Sequence, residues 1–159
     1  MNFLGLELPV KDLPELDTGF VPLEAFFAAH QQLAEKPVCV AVERSRGQVG
    51  VWETKLIGTP TYEEADAYYM DRLVKFLLWS VGGFRVYLNG DESVINRIKQ
   101  AYTPAGNRAF DVQFMEDVYE RPFEVRSVSE EDFPEANEAA VAAGGHMDGC
   151  RIGFDAGGS

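Results

Sequence analysis

Segment 38–81 constrains this chain most: two short runs of alternating apolar residues are followed at once by a long helical repeat. Val38, Val40 and Val42 fall on one side of a period-two pattern, which resumes at Val49 after Ser45-Arg46-Gly47-Gln48 and runs to Ile57. This reads as a β-hairpin with a glycine-containing turn. Ala65, Tyr69, Leu73, Phe76 and Leu77 then recur at three- and four-residue steps up to Gly82-Gly83. Thr61 followed three residues later by Glu64 reads as a capping box, so the spacing predicts one helix over 62–81. Near its end Phe76, Leu77, Leu78, Trp79 and Val81 crowd together, which implies burial on more than one side. A hairpin with one apolar face needs a cover, and this helix is the nearest candidate.

The remaining elements extend the same scheme. Residues 22–35 place Leu23, Phe26, Phe27, His30 and Leu33 at helical spacing, with Pro22 suited to the first turn. His30 then lies beside the apolar stripe, where a satisfied or half-exposed helix histidine is the expectation. Residues 84–88 read as a strand, and Asp91 after Asn89-Gly90 reads as the cap of a helix carrying Val94, Ile95, Ile98 and Ala101. Residues 110–118 and 123–128 show alternating or mixed apolar patterns and are read as strands. The first 20 residues, interrupted at Leu8-Pro9 and Leu13-Pro14, read as an irregular or edge segment. The resulting order, α, β, β, α, β, α, β, β, predicts an α/β fold with a mixed β-sheet flanked by helices.

At 159 residues the chain suits one main domain. Twenty-six acids against 14 bases leave a net charge of −12, which disfavours phosphate backbones and anionic membranes, so neither nucleic-acid nor membrane contact is expected. Nine acids fall within 116–138 against Arg121 and Arg126, and this stretch reads as a solvated face running into a linker. Two cysteines, Cys39 and Cys150, and two histidines, His30 and His146, are too few for a disulfide framework or a zinc site, so structural thiols are expected. The start, MNFLGLELPVKDLPELD, lacks the basic flank and cleavage site of a secretory leader, and no run is long and apolar enough to span a membrane. The expected location is cytoplasmic.

No nucleophile motif, metal-binding helix or P-loop is present. Asn89-Gly90-Asp91 at a strand-to-helix junction offers amides to an anion, although turn and cap chemistry explains the same residues. Glu63, Glu64, Asp66 and Asp71 read as the polar face of the long helix. Trp79 and its aromatic neighbours read as core. The last ten residues are more distinctive: an apolar strand ending at Asp155 and a Gly157-Gly158-Ser159 turn can aim amides and a hydroxyl at a phosphate, with the carboxylate placed to hold magnesium or its waters.

GFDAGGS resembles the first phosphate loop of ROK-family proteins, bacterial sugar kinases and related regulators of the actin-like ATPase superfamily. YMDRLVKFLLW, AYTPAGNRAFD, DVYERPFEV and HMDGCRIGFDAGGS are similar to an N-terminal extension of some ROK-like proteins, so the likeness covers roughly residues 61–159. The resemblance implies that Asp155 is a magnesium-associated carboxylate and that Gly157, Gly158 and Ser159 face phosphate. It implies ATP and magnesium as cofactors of a longer protein, with no cofactor in this stretch alone. Element order and composition give an N-terminal α/β domain over 1–128 and an acidic, alanine-rich linker or helix over 129–148, and the resemblance implies the start of a ROK-like kinase domain at 149–159. By analogy the fold is a partial ribonuclease-H-like, actin-like architecture.

On this reading the chain is the N-terminal accessory domain of a ROK-family sugar kinase, silent until joined to its kinase lobes. A second reading is a non-catalytic oligomerisation or interaction module of a ROK-like transcriptional regulator. The apolar helix end around Trp79 and the Phe- and Leu-rich N-terminal segment motivate it. The expected partners are the kinase lobes of its own chain and a second copy. ROK regulators commonly carry a DNA-binding winged helix-turn-helix, and this acidic, strand-rich sequence departs from that pattern.

Overall fold

The computed structural model describes residues 1–12 and 15–139. Two short strands, β1 (Asn2–Phe3) and β2 (Leu6–Glu7), pair antiparallel, and they tuck Leu6 and Leu8 into the core. Helix α1 (Leu23–Leu33) follows, with the Pro22 carbonyl accepting from the Phe26 amide. The predicted hairpin forms from β3 (Lys36–Glu43) and β4 (Val49–Leu56), joined through a 3-10 turn over Ser45–Gly47.

The long helix is α2 (Glu63–Val81), but its start differs from the predicted capping box. Pro60 sets a 3-10 turn over Pro60–Tyr62, so Thr61 lies inside that turn and makes no cap hydrogen bond. At the other end Gly82 takes φ +72° and returns its N–H to the Leu78 carbonyl, where a Cβ would collide with the Tyr119 hydroxyl. Strand β5 (Arg85–Asn89) and helix α3 (Glu92–Ala101) then form as the spacing predicts.

Residues 110–118 correct the reading. They belong to helix α4 (Ala109–Tyr119), after which β6 (Glu124–Ser127) closes the order. Phe110, Val112 and Phe114 mimic a strand's alternation because this helix is apolar on two faces: Val112 and Met115 point inward, while Phe110, Phe114 and Val118 point outward.

The four main strands lie in the order β4-β3-β5-β6, with β3 antiparallel to both neighbours and β5 parallel to β6. The mixed sheet flanked by helices is therefore present. One sheet face, carrying Val38, Val40, Val42, Val86 and Leu88, packs with α1, α2, α3 and α4 around Phe26, Val74, Leu78 and Ile98. The opposite face is polar. There Arg85 donates to Glu124 (2.7 Å) and Glu43 (2.7 Å), and the Tyr87 hydroxyl donates to the same Glu43 oxygen (2.7 Å).

Residues 128–139 cross that polar face from one edge of the sheet to the other. The Val128 amide donates to Leu88 (3.0 Å), and Asn137 exchanges two backbone hydrogen bonds with Val49 on β4 (2.8 and 2.9 Å). Arg44 then pairs with Glu138 at 2.8 Å. The acidic segment thus includes α4 residues, β6 and a tied strap as well as solvated positions.

Candidate functional site

Asp155, Gly157, Gly158 and Ser159, together with Cys150 and His146, lie outside the described residues. The other singled-out residues can be placed one by one.

Asn89-Gly90-Asp91 forms a turn and cap. Asp91 Oδ1 accepts the Ser93 amide at 2.9 Å and Oδ2 accepts Lys36 Nζ at 2.9 Å. The Lys36 ammonium above all, helped by the Ser93 donors, pulls the Asp91 carboxyl down to about 2. Open α/β sheets offer ligands a crevice at the carboxyl ends of their strands. Here that notch, about 160 Å³, is lined by Glu63, Asp66 and Asp91, so a ligand anion would meet carboxylates already serving the helix ends.

His30 and Asp66 meet inside the protein. His30 Nε2 donates to Asp66 Oδ1 at 2.7 Å, and Gln31 Nε2 donates to His30 Nδ1 at 3.2 Å. The Ile57 and Gly58 amides each donate to an Asp66 oxygen at 2.8 Å. The imidazole stacks on Tyr69, with centroids 4.3 Å apart and planes 4° from parallel. Both side chains are buried, so this network holds α1, the end of β4 and the start of α2 together. His30 is satisfied as expected, while Asp66 leaves the polar face that the spacing assigned to it. Its partners are the Ile57 and Gly58 amides nine and eight residues earlier and His30 on another helix, contacts that helical spacing does not reveal.

Cys39 is half-buried on the polar sheet face. Burial first, then the nearby Glu53 and Glu130 carboxylates, push its thiol up and away from the nucleophilic thiolate. A cleft of about 530 Å³ opens beside it between the sheet and the strap, lined by Pro37, Asn89, Glu130 and Phe133. Asp71, another member of the helix's acidic set, forms a two-pronged pair with Arg108. Among the described residues, no group of three His, Cys, Asp or Glu side chains is arranged to hold a metal ion. No described helix is long and apolar enough to cross a membrane.

The aromatic end of α2 is where the sequence expectation of a core fails. Trp79 is 46% exposed and stacks on Phe114 (4.9 Å) and Phe110 (6.3 Å) from α4, while Phe76 and Phe110 are 63% and 70% exposed. Val118 continues the surface one turn beyond Phe114. Five such residues leave on the order of 500 Å² of apolar surface in one place, counting ~200 Å² for an exposed aromatic side chain. That lies within the range of the largest patches on soluble monomers, which are often functional.

The patch is also held in shape. Asp111, buried beneath it, accepts the Trp79 indole N–H at 2.7 Å and Lys75 Nζ at 3.0 Å. Lys75 in turn lies 5.7 Å over the Trp79 ring. These contacts fix the indole orientation before any partner arrives, which lowers the ordering cost of binding. The arrangement can bury aromatic surface against another macromolecule.

No protein family matches the chain, and neither a curated protein nor a solved structure is similar to it.

Proposed function

We propose that this chain is a docking domain without catalysis of its own, carried ahead of a ROK-like sugar-kinase domain. The observation that carries the docking role is the outward aromatic surface of α2 and α4, anchored from below by Asp111. Placement ahead of a kinase rests on the resemblance of the final residues to a first phosphate loop. In the longer protein Asp155 would hold magnesium, and Gly157, Gly158 and Ser159 would face the phosphates of ATP. Phosphoryl transfer also needs a positioned sugar hydroxyl, a base and further charge neutralisation, which this reading assigns to the kinase lobes. The partial ribonuclease-H-like relation belongs to the same proposal, supported by the hairpin, helix, strand and helix order around a mixed sheet.

The test has two arms. Residues 1–159 incubated with ATP, magnesium and a panel of hexoses should produce no protein-dependent sugar phosphate; sustained turnover would overturn the reading. Light scattering and calorimetry should detect association, either with itself or with the separately expressed downstream sequence. A chain that binds neither would also overturn it.

A further inference from the structure

We propose that the occupant of the α2/α4 surface is a second copy of this chain, packed about a two-fold axis so that α2 of each copy lies against α4 of the other. The inference rests on the docking reading and commits it to one partner.

Area supports it first. The aromatic centre offers on the order of 500 Å², and flanking polar residues such as Gln113 and Ser80 extend it toward the roughly 800 Å² per partner of a stable interface. Aromatic residues at the centre and charges at the rim match the composition of such interfaces.

Charge supports it second and sets the arrangement. Lys75 is taken up by Asp111, so Arg72 is the cation the α2 side offers, whereas exposed Asp117 and Glu120 lie along α4 and at its end. Pairing α2 with α2, or α4 with α4, would set like charges opposite each other. The crossed pairing sets basic against acidic twice, because a two-fold interface repeats every contact. Arg72 borders the aromatic surface one helical turn before Phe76, its guanidinium held 4.9 Å over the Tyr68 ring. A chain of net charge −12 can approach its own copy best through a mostly apolar region, and the aromatic centre of this surface is one.

Sedimentation across a concentration series should show a monomer–dimer equilibrium. Phe110→Asp and Phe76→Asp, both at exposed positions, should weaken the dimer at least about tenfold while circular dichroism stays unchanged. Arg72→Glu alone and Asp117→Lys alone should each weaken it about threefold to tenfold. Mixing those two single variants should restore association, since a mixed dimer sets the introduced carboxylate of one copy opposite the introduced ammonium of the other and keeps one native Arg72–Asp117 contact. The double variant should self-associate for the same reason, with the charges of both contacts exchanged.

A monomer at all concentrations would overturn the inference. So would a dimer indifferent to Phe110→Asp and Phe76→Asp, or a mixture that stays monomeric. A monomer that nevertheless binds the downstream sequence through the patch would sink the self-association and leave the docking reading standing.

Discussion

Asp66 and Trp79 belong to the same helix, thirteen residues apart, yet the carboxylate is 2% exposed and the indole 46%. At the start of α2, three donors converge on Asp66, and the ring of His30 stacks against Tyr69 one turn further on. At the end of α2, Trp79 has a fixed orientation and aromatic neighbours but no layer above it. Burial here follows the availability of partners more than the polarity of the side chain. A carboxylate surrounded by donors can go inside, and an indole on the helix's outer side stays outside until something covers it.

The comparison is tested most severely by Asp66→Ala, which strands the Ile57 and Gly58 amides and the His30 N–H in the interior. A loss of about 3–5 kcal/mol in urea unfolding is expected. A loss below about 1 kcal/mol would mean that water or relaxation replaces the carboxylate and that the site is no keystone.

The two faces of α4 should separate next. Met115→Ala, on the buried face, should cost about 2–4 kcal/mol. Phe110→Ala should stay within about 0.5 kcal/mol of the parent monomer, because its ring faces outward. Equal costs would erase the distinction between a core stripe and a docking stripe.

A smaller effect is expected at Asp91. Asp91→Ala should cost about 1 kcal/mol through loss of the α3 cap. Because its folded carboxyl is depressed to about 2, the native state holds fewer protons than the unfolded chain, whose aspartates titrate near about 3.9. Its contribution is therefore fully present above that unfolded value and fades as pH falls through about 2. Acid unfolding of the parent should show this dependence, and Asp91→Ala should remove it.

The smallest change has the opposite sign. Tyr102 is buried, and its hydroxyl has no hydrogen-bond partner among the described residues. Tyr102→Phe keeps the ring against Phe123 and removes the unpaired group, so thermal unfolding should show a gain of up to about 1 kcal/mol. A clear loss would reveal a partner for that hydroxyl in solution.

The hairpin, α2, the βα step through Asp91 and β6 were legible because each depends on local periodicity or a local cap. The helix at 109–119 was not, and the reason is the candidate site itself. Phe110, Phe114 and Val118 interleave with Val112 and Met115, and two apolar stripes on one helix produce the alternation of a strand. The same crowding at Phe76 to Val81 reads as burial on more than one side of α2, yet Leu77 and Leu78 are buried while Phe76 and Trp79 stay exposed. It could not tell whether the second side faces the core or solvent.

What the sequence determined by itself is therefore short-range: where strands alternate, where helices repeat and where Asp91 ends a turn. Tertiary structure alone decided the strand order, the return of residues 128–139 to β4, the burial of Asp66 and the exposure of Trp79. Those outcomes depend on which distant groups arrive alongside, such as His30 beside Asp66 or Phe114 beside Trp79. Such encounters are long-range events that a residue's own neighbours in the chain do not encode.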